Sequence, residues 1–174
     1  LRGSSVTNAG QIRAGGGTIE IDGLSGSLND ASVSGGTLDV DGDYVIDRPL
    51  PVDDSTLFLR GTWINEEALT ATNGSVVAVQ GDWQNTGSIS LTNSTLILDS
   101  STTGLGTVAS TNSRLNLRSG YSTSQIESID HDVTAIHVQS GGVIDNSGDT
   151  LTLDQSTYTL LLDGGRIVGG NIDA

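Results

Sequence analysis

The chain has 174 residues, and 21 carboxylates against seven basic side chains give it a net charge of −14, which disfavours nucleic acid and anionic membrane as partners and favours cations, glycans or protein surfaces. With 24 glycines, three tyrosines, two tryptophans and one phenylalanine, it lacks the filling of a compact globular core, a shortage that a repeat architecture tolerates because each unit packs on its neighbours. Cysteine is absent, so redox chemistry gives no compartment, and no apolar run approaches the ~20 residues that would insert this segment into a membrane.

In chain order, triplets of apolar, variable, apolar recur at Ile19/Ile21, Leu38/Val40, Leu57/Leu59, Val77/Val79, Leu96/Leu98, Leu115/Leu117, Ile136/Val138 and Leu160/Leu162. Their first members are separated by 19, 19, 20, 19, 19, 21 and 24 residues. A fixed period of this size is the signature of a solenoid and takes precedence over any element-by-element reading. Alternation at period two, broken by glycine and asparagine, predicts short strands of three to five residues and no helices.

Each coil continues in the same way. With the first apolar residue at position zero, position four reads Gly23, Gly42, Gly61, Gly81, Ser100, Ser119 and Ser140, a tight turn after the strand. Position six carries Tyr44, Trp63, Trp83, Thr102 and Tyr121, and a second apolar pair follows at Ala31/Val33, Leu50/Val52, Leu69/Ala71 and Ile89/Leu91. Position sixteen reads Gly35, Asp54, Asn73, Asn93 and Asn112, residue types that tolerate left-handed backbone angles and so mark the corner before the next strand. The phrase Asn8-Ala9-Gly10-Gln11-Ile12 returns as Asn85-Thr86-Gly87-Ser88-Ile89, with fainter echoes at Asn65 and Asn146.

Equivalent residues returning in one chain direction imply parallel pairing between coils, and such crossovers favour right-handed winding. The expectation is an all-β, right-handed parallel β-helix, a β-solenoid of about nine coils with a period of ~19 residues, filling 1–174 as a single segment. Coils stacked at ~4.8 Å would make a rod roughly 40 Å long. Neither end has a recognisable cap, so the segment is expected to belong to a longer protein or to polymerise at its ends. Two places are expected to depart from the pattern. Pro49 and Pro51 flank Leu50 within a strand position, which predicts an irregular or outward-bent face. The span 101–113 has small residues where other coils carry an aromatic and an apolar pair, leaving Leu105 and Val108 to fill the core.

The coil length, and the run from Val79-Gln80-Gly81-Asp82-Trp83-Gln84-Asn85-Thr86-Gly87-Ser88-Ile89 to Asn93-Ser94-Thr95-Leu96-Ile97-Leu98, resemble bacterial filamentous-haemagglutinin-like adhesins and autotransporter passenger regions. The resemblance spans essentially the whole chain. It implies a secreted or cell-surface rod of a bacterium and carries over no binding residues, since these families are defined by coil pattern.

Four groups of residues are candidates for function. The column Tyr44, Trp63, Trp83 and Tyr121 has the period of a structural aromatic stack, with sugar stacking as the alternative. Position one, outward if zero and two point inward, brings Phe58, Ala78 and Ile97 together as an apolar interaction stripe on three successive coils. Asp22 and Asp41 are equivalent at position three within an acid-rich region that suits calcium, although the glycine-rich nonapeptide of calcium-binding repeats is missing and a solvated acidic face is the plainer reading. Asp130-His131-Asp132, in a lengthened coil near His137, has the composition of a metal or acid-base site and equally that of a tolerated loop insertion.

A structural or adhesive rod accounts for the whole pattern, with neighbouring coils of the same or identical chains, host glycans or surface proteins as partners and no cofactor required. A polysaccharide lyase or hydrolase is the enzymatic alternative, but the seven arginines are scattered from Arg2 to Arg166 and no lysine is present to serve as base. A self-assembling filament subunit is a further alternative. Ice binding by Thr18, Thr37, Thr56, Thr95 and Thr159 lacks a second threonine rank, because position one holds Glu20, Asp39, Phe58 and Ile97.

Overall fold

The computed structural model describes residues 2–132, 134–153 and 158–173, with the side chains of all of these except 2–5, 131 and 134. Strands predominate, 3% of the chain is helical, and parallel sheets stack as a β-solenoid of about eight turns.

The apolar triplets form the spine of the fold. They fall on one ten-stranded parallel sheet, in which Ile19 lies opposite Leu38, then Leu57, Val77, Leu96, Leu115, Ile136 and Leu160 in unbroken register. Register is held this firmly because a one-residue slip would turn every inward side chain out to solvent. Leu38, Leu57, Val77, Leu96, Leu115 and Ile136 are fully buried. The second apolar pair lies on a seven-stranded sheet, where Ala31, Leu69, Ile89 and Val108 face the same core.

Corner chemistry explains how the strands join. Asp54, Asn73, Asn93 and Asn112 all have positive φ, between 46° and 56°. Behind these corners a serine column closes the backbone: Ser75 Oγ donates to the Val52 carbonyl at 3.1 Å, and the Ser94 amide donates to Ser113 Oγ at 3.1 Å. At the opposite corner Gly61 has φ +87°, and a Cβ there would lie 2.2 Å from the Gly42 carbonyl oxygen. Glycine is thus required both by the angle and by the stacking distance. Because Gly42 and Gly61 bend the backbone while staying paired with each other, and Gly23 is accommodated as a bulge between Asp22 and Leu24, the strands Thr18–Ser27, Thr37–Ile46 and Thr56–Asn65 each run for 10 residues through the corner. They are longer than the three to five residues expected from alternation alone.

Asparagine supplies the third corner. Asn65 and Asn85 are sealed inside the rod, and Asn85 Nδ2 donates to the carbonyls of Leu105 at 2.8 Å and Thr107 at 3.3 Å. Asn146 donates likewise to the Asn171 carbonyl at 2.6 Å. At Asn65, Asn85 and Asn146 the repeated phrase therefore marks a buried amide whose Nδ2 hydrogen-bonds the backbone of the next coil, while Asn65 Oδ1 accepts no hydrogen bond.

Three sequence expectations are corrected. The face at Pro51 is irregular, as expected, but it is not bent outward: Leu50–Asp53 pairs with Ala68–Thr72 over all four residues, and pairing with Ala31–Ser34 is confined to Val33–Val52 and Ser34–Asp53. The missing N–H shortens the ladder on one side only. The chain also contains a helix, Thr123–Glu127, which accounts for the added length of its coil. Its capping box is legible as Ser122-Thr123-Ser124-Gln125, with Ser122 Oγ accepting from the Gln125 amide at 3.2 Å and Gln125 Oε1 accepting from the Ser122 amide at 3.0 Å. Finally, Asp130–Asp132 is no loop insertion but a strand of the seven-stranded sheet, with Asp130 opposite Ala109 and Asp132 opposite Thr111.

The span 101–113 has no strand at its aromatic position, and Leu105 and Val108 fill the core there. Thr102 Oγ1 donates to the Trp83 carbonyl at 2.6 Å, and Gln125 reaches back to the Thr102 carbonyl at 2.8 Å. At the last coil Leu162 is 53% and Ile172 54% exposed, although their register partners Val138 and Leu151 are fully buried.

Candidate interaction surface

The outer face of the long sheet carries the chemically varied side chains, because alternation sends positions one and three outward while zero and two fill the core. Position one runs in register as Glu20, Asp39, Phe58, Ala78, Ile97, Asn116, His137 and Leu161. Position three runs as Asp22, Asp41, Arg60, Gln80, Asp99, Arg118, Gln139 and Asp163.

At the N-terminal end, Glu20, Asp22, Asp39, Asp41 and Arg60 line a shallow depression. Arg60 Nη2 pairs with Asp39 Oδ2 at 3.3 Å, and the guanidinium lies over the Phe58 ring at 5.2 Å from its centroid. One guanidinium among four carboxylates leaves the depression acidic. Partial burial raises the Asp39 pKa, Arg60 lowers it, and Glu20 and Asp41 raise it further. Asp22 and Asp41, the calcium candidates, both line this depression, but among the described residues no three His, Cys, Asp or Glu side chains are grouped to hold a metal ion.

The middle of the face is the apolar stripe, and it differs from the exposed stripe expected. Ala78 is only 2% exposed, with Phe58 and Ile97 half-buried on either side of it. A methyl group between two larger side chains one coil away on each side is shaded by both. Beside the stripe, position three forms a ladder: Gln80 Nε2 donates to Asp99 Oδ2 at 2.7 Å, Arg118 Nη1 lies 3.3 Å from Asp99 Oδ1, and Arg118 Nε donates to Gln139 Oε1 at 2.6 Å. This ladder was not anticipated. Its signal was the coil period carried on past Asp22 and Asp41.

Towards the C-terminal end His137 Nδ1 lies 2.7 Å from Asp163 Oδ2. Asn116, next to His137 in register, is 7% exposed, and its Oδ1 accepts no hydrogen bond. His137 does not join Asp130-His131-Asp132, which belongs to a different sheet. Within that strand Asp130 and Asp132 are both exposed, and His131, whose side chain lies outside the described residues, takes the register of the buried Ser110.

The aromatic column lies inside the rod. Tyr44, Trp63, Trp83 and Tyr121 are 1–3% exposed. The rings of Tyr44 and Trp63 stack at 6.3 Å and 8°, and those of Trp63 and Trp83 at 5.4 Å and 15°. Trp63 Nε1 donates to the Gln80 carbonyl and Trp83 Nε1 to the Ser100 carbonyl, each at 3.2 Å, and Tyr121 Oη also donates to Ser100. Buried faces are closed to a sugar ring, so the column serves packing. Burial pushes the Tyr121 phenol up.

No helix among the described residues is long and apolar enough to cross a membrane. Comparison with protein-family models, with curated proteins and with solved structures finds no match to this chain.

Proposed function

We propose that this chain is part of an extracellular structural and adhesive rod displayed on a bacterial surface. The observation that carries the reading is the long sheet, whose strands pair coil on coil from Arg2–Val6 to Tyr158–Asp163 without a missing coil. Its hydrogen-bonding capacity is spent on stacking, with the aromatic, asparagine and serine columns all turned inward. What remains for recognition is the outer face of the long sheet, where successive coils set different side chains in register at a spacing of ~4.8 Å. Such a face gains affinity by engaging a partner at several points at once. The acidic depression and the Phe58–Ile97 stripe are the parts of that face best suited to contact.

The reading is tested on intact producing cells. A rod on the surface is removed by externally added protease and labelled by antibodies that recognise exposed corners such as Asn73-Gly74. Protection from both reagents in intact cells, with exposure only after lysis, contradicts it.

A further inference from the structure

Two Asn-x-Ser/Thr triplets occur on adjacent coils, Asn73-Gly74-Ser75 and Asn93-Ser94-Thr95. This triplet is the acceptor pattern for N-linked sugars, in which the amide nitrogen is the nucleophile and the hydroxyl two residues on is part of the recognised group. The two asparagines are equivalent at position sixteen and both sit exposed at left-handed corners, with φ 56° and 52°, but the corner after Asn73 is one residue longer, so that Thr95 lies opposite Val76 and not opposite Ser75. In the structure they differ at every atom that matters.

Asn73 is closed. Its Nδ2 donates to Asp53 Oδ1 at 2.6 Å, so the nucleophilic nitrogen is held against a carboxylate of the preceding coil. Ser75 is fully buried, and its Oγ donates inward to the carbonyls of Val52 and Thr72. A transferase could reach that hydroxyl only by opening the coil.

Asn93 is open. Its Oδ1 accepts from Asn112 Nδ2, which fixes the amide plane, and among the described residues Nδ2 donates to nothing. Thr95 stands at position minus one on the outer side of the long sheet, half-buried, and its hydroxyl makes no hydrogen bond among the described residues. Asn93 and Thr95 line one surface depression together with Asn112 and Arg114. The acceptor amide and its hydroxyl are thus presented side by side from outside the rod.

We propose that Asn93 is an N-glycosylation site of the folded protein and that Asn73 is not. The donor is a sugar activated as a glycosyl phosphate ester, either nucleotide- or lipid-linked. Asn93 Nδ2 forms a bond to the anomeric carbon, the bond from that carbon to the phosphate oxygen breaks, the phosphate departs with the electron pair, and one amide proton passes to a base of the transferase. The inference is independent of the adhesive reading, because it rests only on which acceptor the fold leaves open.

The test incubates the folded chain with a nucleotide-activated hexose and an N-glycosyltransferase of Asn-x-Ser/Thr specificity, and reads occupancy by site-resolved mass spectrometry. A hexose on Asn93, at least tenfold above Asn73, is the expected result, with both sites accepting once the chain is heat-denatured. Thr95→Ala should abolish the Asn93 modification and Thr95→Ser retain it, each with an unchanged circular dichroism spectrum. An unmodified Asn93 in the folded chain, or equal occupancy of the two sites, overturns the proposal.

Discussion

Asn65 Nδ2 donates to Asn85 Oδ1 at 2.8 Å in a space closed to solvent, so one coil's corner amide is completed by the next coil's corner amide. Asn85 in turn serves the backbone of the following coil, and loss of its side chain strands groups on both sides. Asn85→Leu is expected to destabilise by about 3 kcal/mol, in keeping with about 1–3 kcal/mol for each buried polar group left unpaired. The check is the urea midpoint at unchanged slope.

The aromatic stack makes a graded prediction. Trp63→Ala removes the ring between Tyr44 and Trp83 and should cost about 3–5 kcal/mol through cavity formation. Trp63→Phe keeps a ring in the stack but leaves the Gln80 carbonyl without its donor, a loss of about 1–2 kcal/mol. Equal midpoints for the two variants in chemical denaturation would contradict the assignment of this column to packing.

Gly61 and Gly74 separate two costs that glycine usually combines. Both have positive φ, +87° and +82°, yet a Cβ at Gly74 meets nothing within 4 Å while one at Gly61 meets the Gly42 carbonyl oxygen at 2.2 Å. Gly74→Ala should cost about 1 kcal/mol, the conformational price alone. Gly61→Ala should cost at least about 2 kcal/mol more, as in other overpacked sites. Thermal denaturation of the pair measures the difference directly.

Two carboxylates give opposite pH dependences. The Asp53 pKa is lowered by hydrogen bonds from Asn73 and Thr72, so its contribution is present above the ordinary aspartate value and is lost as pH falls through the folded-state value. Thr72→Val should therefore flatten the acid limb of stability. The Asp39 pKa is raised, chiefly by burial, so its contribution is present below the ordinary aspartate value and is lost as pH rises through the folded-state value. Asp39→Asn should remove that loss, leaving stability flatter as pH rises through this range. Stability curves from pH 3 to pH 7 that are parallel for wild type and both variants would contradict these assignments.

Most of the fold was legible because the solenoid repeats its physics. Residues at positions zero and two must be apolar to fill the core, and corners before the next strand must tolerate positive φ, so Leu38, Leu57 and Asn93 declared themselves by period alone. Strand length was misread because Gly42 and Gly61 look like breaks in sequence, whereas stacked glycines let the backbone turn while keeping its pairing. The helix at Thr123–Glu127 was missed because a single turn leaves no periodicity, although its capping box was in plain view. The outer face was less legible. Shading of Ala78 depends on the size of residues 20 and 19 positions away, and the Gln80–Asp99–Arg118–Gln139 ladder depends on side-chain reach between coils. Neither is a property of a local window.

The most direct test of the rod assignment is cryo-electron microscopy of the native protein at the surface of producing cells. The expected result is a slender projection outside the envelope, layered at ~4.8 Å, with the outer face of the long sheet open to the medium or laid against a neighbouring rod. A chain found only inside the cell, or one whose Glu20 to Asp41 depression is enclosed as a substrate cleft, would contradict it.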